Sequence, residues 1–352
     1  MRPPDSTSDD VTGRDPSGDR RTALLRRIRT VPTVLVLCVV VTIASPLLLG
    51  AALLVDAVRW AIRRTPFVAV RMVAFGWWYL LMETAALTGL LVAWVLTGFG
   101  RWKRAELAVT YRLQAIWANA LFIGCITIFD MTVEVEGDEV VMPGPMLLFI
   151  RHASIADTLL ANVIATRRHG LLLRYVLKKE LLVDPAIDIA AHRLVNCFVD
   201  RHSKDSAAEI ERVRRLAEGL SAREGVLIYP EGTRYTEEKA AKIRASVARK
   251  APELAERTNA LRHVLPPRLG GPLACLEGAP DADVVICSHI GLDGLANVSH
   301  IWSGDMVHAA LRISFRRVPR AEIPEDRQGR IDWLFAEWAK VDEWIEQARA
   351  AG

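Results

Sequence analysis

The sequence predicts an α/β domain with a largely parallel sheet flanked by helices, preceded by hydrophobic membrane helices. From about residue 131 onward, short β-forming runs alternate with helical patterns, an order typical of parallel sheets. Before that point lie two apolar runs that are long enough to cross a bilayer. The composition fits both parts, because 51% hydrophobic residues is high for a soluble protein and 24% charged residues is more than membrane helices alone carry.

Shifts in composition divide the chain into four segments. The N-terminus is rich in Asp, Ser, Gly and Pro, which predicts a disordered tail, and an Arg cluster closes it. A basic, Trp-containing pattern after the second apolar run predicts an amphipathic helix along the membrane surface. The predicted segments are a tail over residues 1–30, membrane-embedded helices over 31–97, an interfacial helix over 98–130, and the α/β domain with its C-terminal helix over 131–352.

The two apolar runs extend over Val31–Val55 and Met72–Leu96. A signal peptide fits the first run poorly, because the run is too long and begins well inside the chain. Buried helices of a soluble core are the other alternative. Arg residues flank both runs on both sides, which the positive-inside rule disfavours for two full crossings, so bends at Pro46 or Gly89 that return a run to its own side stay open. Glu83 interrupts the second run in either a functional or a structural role.

The charge pattern and the cysteines narrow the class of protein. Arg clusters beside apolar runs suit anionic lipid headgroups, and no nucleic-acid-binding motif accompanies them. The five cysteines are odd in number and form no C-x-x-C pair, so neither a disulfide framework nor a zinc site is predicted. We therefore expect lipid partners, no nucleic acid, no metal, and a reducing compartment for the globular part.

The first motif with chemical potential follows an apolar strand. Leu147–Ile150 leads into His152, and Asp157 lies five residues further on. On a continuous helix this spacing would separate the side chains by roughly 140°, so they meet only if the strand turns sharply into a helix. A carboxylate beside an imidazole suits base catalysis. Ser154 and Asp157 also match the S-x-x-D pattern of a capping box, in which the aspartate only starts a helix.

A second strand runs into a turn at residues 225–234. Glu231, Gly232, Thr233 and Arg234 place an acid, a flexible residue, a hydroxyl and a guanidinium together. Arg grips phosphate in a bidentate manner, and Gly lets the backbone approach a ligand closely. Taken alone, the segment is equally consistent with an ordinary strand-to-helix connection.

Together the two motifs resemble the 1-acylglycerol-3-phosphate acyltransferase (lysophospholipid acyltransferase) family, whose signature is H-x-x-x-x-D followed by E-G-T-R. Phe198–Arg201 and Val176–Leu182 resemble two further blocks of that family. His263–Gly270 and Arg316–Asp326 are similar to the branch that contains lysocardiolipin and lysophosphatidylinositol acyltransferases. One departure is Arg151, which stands where the family usually has Asn.

The resemblance implies a glycerolipid acyltransferase-like fold and a transfer of an acyl group to a lysophospholipid hydroxyl in phospholipid biosynthesis or remodelling. The implied acceptor is 1-acylglycerol-3-phosphate, which would give phosphatidic acid, and the donor is acyl-CoA or acyl carrier protein, with no cofactor. His152 and Asp157 would be the catalytic pair. By the same resemblance, the substrate-binding residues are Arg201 and Arg234 for the acceptor phosphate, and Glu231, Gly232 and Thr233 for the glycerol part.

Two other functions stay open at the level of the sequence. A membrane-bound thioesterase or lysolipid hydrolase would use the same His–Asp pair to activate water, and a silent lipid-binding protein would need neither residue. No G-x-S-x-G nucleophile elbow is present, and an activated thioester requires none.

The expected location is a membrane, in particular the plasma membrane, with the catalytic domain facing the cytosol.

Overall fold

A computed structural model describes residues 20–154, 156–200, 206–295 and 298–351. Within them, one seven-stranded sheet has the order β1-β7-β6-β2-β5-β3-β4, and only the β6–β7 pair is antiparallel. The predicted largely parallel sheet is therefore confirmed. The strands are β1 (Thr132–Glu136), β2 (Met146–Ile150), β3 (Leu172–Lys178), β4 (Cys197–Val199), β5 (Glu224–Ile228), β6 (Asp283–Ile290) and β7 (Ala310–Val318).

Helices precede the sheet and cover both of its faces. One core contains Leu216, Leu273 and Trp338, and the other contains Phe129 and Leu160. The helices are α1 (Arg20–Arg63), α2 (Ala69–Leu96), α3 (Lys103–Phe129), α4 (Asp157–Ala161), α5 (Pro185–Arg193), α6 (Ser206–Leu216), α7 (Glu237–Lys250), α8 (Ala255–Ala260), α9 (Gly270–Gly278), α10 (Val298–Ser303) and α11 (Arg327–Ala350), and a π-helical segment over Asn162–Arg168 extends α4.

The centre of the sheet determines where the two motifs lie. All five residues of β2 are buried, as expected of a parallel strand that is covered on both faces. Strand β2 lies between β5 and β6, and Phe149 pairs with Ile228 and with Ile286. Because β2 and β5 are parallel and end at the same level, the residues that follow them meet at one edge of the sheet.

Three N-terminal helices, α1, α2 and α3, are long and apolar enough to cross a membrane by length and composition. Helix α1 is continuous through Pro46, and α2 is continuous through Gly89. The alternative in which a run bends at one of these residues and returns is therefore wrong. The chain reverses direction in the short connection between α1 and α2.

Both ends of α1 contact the α/β domain. Near its start, the guanidinium groups of Arg26 and Arg27 donate to the Asp188 carboxylate on α5 at 3.0–3.1 Å. Near its end, Arg59 donates to the Trp302 carbonyl at 2.8 Å and lies over the indole ring. A helix rises 1.5 Å per residue, so these anchors are about 50 Å apart along α1. The helix therefore lies along the domain rather than projecting from it.

The carboxylate of Glu83 is a structural link between α2 and α5. Glu83 is fully buried, and its Oε1 accepts a hydrogen bond from the Ala186 N–H in the first turn of α5 at 2.9 Å. Asp184 caps the same helix by accepting from Ile187 N, and Tyr79 of α2 donates to Asp184. Acidic groups are favoured at a helix N-terminus, where the backbone N–H groups have no partner within the helix. The contact gives Glu83 a structural role, which was one of the two roles that the sequence allowed.

We predict that Glu83→Leu destabilises the protein by about 1–3 kcal/mol, because the buried Ala186 N–H loses its acceptor. Glu83→Gln keeps a carbonyl oxygen and should cost less. The measurement is thermal unfolding in detergent, with Thr88→Val, an exposed hydroxyl of the same helix, as the control. A Leu variant with unchanged stability and lost activity would instead give Glu83 a functional role.

Candidate active site

The turn after β2 brings the predicted pair together. His152 Nδ1 lies 3.0 Å from Asp157 Oδ2, and both side chains are buried. The same Asp157 oxygen accepts from the backbone N–H groups of Ala153 at 2.7 Å and Ser154 at 2.8 Å. The Ser154 hydroxyl donates to the other oxygen, Oδ1, at 2.6 Å. The catalytic and the helix-starting interpretations of Asp157 are therefore compatible, because one carboxylate shapes the turn and orients the imidazole.

The surroundings of Asp157 keep it ionised. Burial acts to raise the pKa of Asp157, but interactions with His289, His152 and Ser154 outweigh this effect and hold the pKa below its usual value. An ionised carboxylate at Nδ1 requires that this nitrogen carry the proton. The other ring nitrogen of His152, Nε2, is then the basic one.

Behind the pair, Arg151 points into the interior. Its guanidinium is fully buried, donates to the His289 carbonyl at 2.8 Å and pairs with Asp293 at 2.7 Å. His289 on β6 is also fully buried, and its Nε2 lies 3.1 Å from the Arg151 carbonyl and 3.6 Å from Asp157 Oδ1. Because a carbonyl only accepts, His289 Nε2 carries a proton, and burial lowers the pKa of this ring so that it stays neutral. Arg151, which stands where the family usually has Asn, thus stabilises the catalytic turn from the interior of the domain.

Glu231 fixes the position of the catalytic turn from β5. Its Oε1 accepts from the His152 backbone N–H at 2.7 Å, and its Oε2 accepts from Leu265 N–H at 2.9 Å. Burial raises the pKa of Glu231 to about 8, and the two backbone donors oppose that change. Since both oxygens face backbone groups, the structure places Glu231 as a clamp on His152. The predicted contact of Glu231 with substrate stays a prediction.

The other residues of the second motif surround the turn. Gly232 has φ +67°, and a Cβ atom there would lie 2.6 Å from Arg268 Cδ, so only glycine fits without a shift. Lys239 Nζ donates to Thr233 Oγ1 at 3.3 Å and to the Arg234 carbonyl at 3.1 Å. The remaining predicted site residue, Arg201, lies outside the described residues.

A cavity of about 490 Å³ opens at this edge of the sheet. His152 and Tyr229 form part of its wall, and Lys178, Arg234 and Arg268 bring positive charge to it. Acidic residues, including Glu180, also line the cavity, so its charge is mixed.

A second cavity, of about 640 Å³, lies between the α/β domain and the three N-terminal helices. Its wall is predominantly apolar and includes Val34 of α1, Phe75 of α2 and Leu121 of α3. Four residues line both cavities, which are therefore adjacent: Thr158, Leu177, Glu180 and Leu181.

Sequence reasoning missed three residues that contact the catalytic pair or its surroundings. The Tyr229 ring stacks on the His152 ring with centroids 4.2 Å apart and planes at 26°, and its hydroxyl lies 2.9 Å from Thr158 Oγ1. The third is His289. Thr158 directly follows Asp157 and Tyr229 lies two residues before Glu231, and that proximity was an available signal. No local signal pointed to His289, because it lies 132 residues after Asp157 in the chain.

Among the described residues, no group of three or more His, Cys, Asp or Glu side chains is placed to hold a metal ion.

Comparisons with known proteins find similarity to acyltransferases. Residues 132–267, less than half of the chain, match the family model described as Acyltransferase. The resemblance predicted from the motifs is therefore confirmed at the level of the family, while the branch stays a prediction.

Two relatives illustrate the similarity. The mouse (Mus musculus) 1-acyl-sn-glycerol-3-phosphate acyltransferase epsilon is 24% identical over 243 residues, which is 63% of this chain and 63% of the relative. The chain thus matches slightly less than two thirds of the length of that protein. The crystal structure of PlsC, the 1-acyl-sn-glycerophosphate (LPA) acyltransferase from Thermotoga maritima, aligns with a TM-score of 0.51 and 14% identity, covering 80% of this chain and 98% of that chain. That similarity shows a shared fold.

For His289, we predict that replacement by Leu lowers turnover by roughly tenfold, because it removes the N–H that donates to the Arg151 carbonyl and lies 3.6 Å from Asp157 Oδ1. Without the N–H that faces Asp157, the electrostatic potential at His152 becomes more negative. The protonated form of the His152 imidazole is then stabilised. The acid limb of the pH–rate profile should then move to higher pH.

His289→Gln should restore much of the activity and the position of the limb, because an amide N–H replaces the ring N–H. His308→Leu, at an exposed histidine paired with Asp130, is the control. A lower turnover with an unmoved acid limb would mean that His289 only supports the fold.

Proposed function

We propose that this protein transfers an acyl group from a thioester, acyl-CoA or acyl carrier protein, to the free hydroxyl of a lysophospholipid. The single observation that carries the proposal is the buried His152–Asp157 pair at the wall of a cavity that adjoins an apolar cavity. The favoured acceptor is 1-acylglycerol-3-phosphate, giving phosphatidic acid. The mouse relative and the Thermotoga protein carry the corresponding activity in their names.

The chemistry follows from the geometry of the pair. Nε2 of His152 takes the proton of the acceptor hydroxyl, which is a poor nucleophile until that proton is removed. Asp157 holds the tautomer and stabilises the imidazolium that forms. Because the thioester is already activated, the alcohol attacks it directly, and no covalent enzyme intermediate and no cofactor are needed.

The two cavities match the two parts of the reaction. The apolar cavity suits the acyl chain of the donor, since its wall consists mainly of side chains from the N-terminal helices and the adjoining domain. Arg234 lines the first cavity, and a guanidinium suits the acceptor phosphate. Arg201 is assigned the same role from the motif alone.

We predict that His152→Ala lowers acyl transfer by at least about a hundredfold in a folded protein. Asp157→Asn should also lower turnover, since it removes the charge that orients the ring. The assay supplies acyl-CoA and a panel of lysophospholipids, and the products are identified by mass.

The same assay separates the alternatives. Free fatty acid without diacyl product would identify a hydrolase, and near-normal turnover of folded His152→Ala would reject this residue as the base. If Asp157→Asn lost stability but kept its specific activity, the carboxylate would serve only to shape the turn. His308→Ala again serves as the matched histidine control.

The N-terminal helices bear on where the protein is located. They support membrane association, and we propose that the catalytic domain faces the cytosol at the plasma membrane, where the acyl donor is available. Both ends of α1 are anchored to this one domain about 50 Å apart, whereas the hydrocarbon core is about 30 Å thick. A perpendicular crossing would separate the two anchors, so α1 lies in one leaflet with its exposed apolar face toward lipid. All the Arg clusters then stay on the cytosolic side.

This placement predicts that the α1–α2 connection cannot be labelled from outside the cell. A cysteine at Arg63, which is exposed, should react with a membrane-impermeant thiol reagent only after lysis. All five natural cysteines are buried, which keeps the background low. The matched control is a cysteine at Asp281, on the surface of the α/β domain. Labelling of residue 63 but not of residue 281 in intact cells would show that α1 crosses the bilayer.

A further inference from the structure

The hydroxyl groups of Tyr229 and Thr158 form a polar pair beside the catalytic imidazole. Tyr229 Oη and Thr158 Oγ1 are 2.9 Å apart, and the Tyr229 ring lies parallel to the His152 ring with centroids 4.2 Å apart. Tyr229 directly follows β5 and Thr158 directly follows Asp157, so the same two strand ends that build the catalytic pair also place these hydroxyls. The base mechanism described above assigns no role to either hydroxyl.

The pair lies where the two cavities adjoin. Tyr229 and His152 line the first cavity, and Thr158 lines both cavities. A thioester whose acyl chain occupies the apolar cavity, and whose carrier leaves through the first cavity beside the acceptor, has its carbonyl group at this junction. The carbonyl oxygen therefore comes next to the hydroxyl pair and the carbonyl carbon next to the imidazole.

The hydrogen-bonding capacity of the pair leaves one donor for a ligand. Each hydroxyl has one hydrogen, and the contact between them uses one of the two. The phenol is the more acidic of the two groups, so its O–H makes the stronger bond to an anion. Burial raises the pKa of Tyr229 well above its usual value, and the charge of Asp157 raises it further, so the phenol stays protonated at neutral pH.

We propose that Tyr229 is a catalytic residue whose hydroxyl, oriented by the Thr158 hydroxyl, donates a hydrogen bond to the oxyanion that forms from the thioester carbonyl. This inference rests on the proposed acyl transfer. In that arrangement Thr158 O–H donates to Tyr229 Oη, and Tyr229 O–H faces the carbonyl oxygen. Thr158 is a positioning residue, because it acts through Tyr229.

The step balances without any further reactant. The acceptor oxygen forms a bond to the carbonyl carbon while His152 Nε2 takes its proton, and the C=O π pair moves to the oxygen that Tyr229 contacts. On collapse, this pair re-forms the carbonyl, the C–S bond breaks, and the thiolate receives the proton from the imidazolium. The parallel Tyr229 ring also stabilises the imidazolium during this interval, because a cation is attracted to an aromatic face.

The test is a double-mutant cycle on the full-length protein with acyl-CoA and lysophosphatidic acid. Tyr229→Phe keeps the ring against His152 and removes only the donor, so kcat should fall by about a hundredfold with both KM values within about twofold of the original. Thr158→Val should lower kcat by about fivefold, the equivalent of one neutral hydrogen bond. Combined with Tyr229→Phe, it should add no more than about twofold, because the two hydroxyls act as one unit.

Tyr235→Phe is the matched control, since its hydroxyl donates to the Arg262 carbonyl and is exposed. A kcat of Tyr229→Phe within twofold of the original, a loss confined to KM, or additive effects of the two substitutions would overturn this inference while acyl transfer itself stands. If the unchanged protein formed no diacyl product, both proposals would fail. Should Tyr229→Phe unfold, the fivefold loss in kcat of Thr158→Val without a change in KM decides the question.

Discussion

The Asp157 carboxylate is the interaction on which the site depends. It accepts four close contacts, from the His152 ring, two backbone N–H groups and the Ser154 hydroxyl, and it is fully buried. A buried charge is tolerated only when it is saturated with donors, so the turn after β2 must close around it. The same requirement that makes the turn stable therefore fixes the tautomer and orientation of the imidazole. The Asp157 carboxylate therefore serves both the stability of the turn and the chemistry of the site.

Around that carboxylate, two further elements keep the turn in place. Glu231 holds the backbone of His152 and of Leu265 from the end of β5, and Arg151 ties the turn to His289 and to Asp293 beyond β6. These braces come from the strands on either side of β2, which is why the central position of β2 in the sheet matters for chemistry. Within this frame the motif glutamate fixes the position of His152, whether or not it also contacts substrate.

The sequence was sufficient for the elements that depend on local pattern. Strand β2 (Met146–Ile150) coincides with the apolar run that leads into His152, because a short apolar run that ends at polar residues is typical of a buried strand. Helix α5 begins at Pro185, because Asp184 caps it there. Helix α9 and strand β1 have no clear local pattern. Helix α9 contains three glycines and a proline, and β1 alternates only weakly and gains its partner, β7, from about 180 residues away.

What the sequence could not supply is contact between distant segments. The H-x-x-x-x-D spacing suggested that His152 and Asp157 meet, but nothing near them indicated that His289 would lie 3.6 Å from the same carboxylate. The course of α1 is a similar case. Hydropathy shows only that the run is long and apolar enough to cross a bilayer. The contacts of Arg26 with Asp188 and of Arg59 with Trp302 show that both ends of α1 lie against the α/β domain. The apolar cavity lies between the N-terminal helices and the domain, and it adjoins the first cavity. An acyl chain in that cavity would keep a continuous apolar environment, and its thioester would reach the imidazole at the point where the apolar wall gives way to Thr158 and Tyr229.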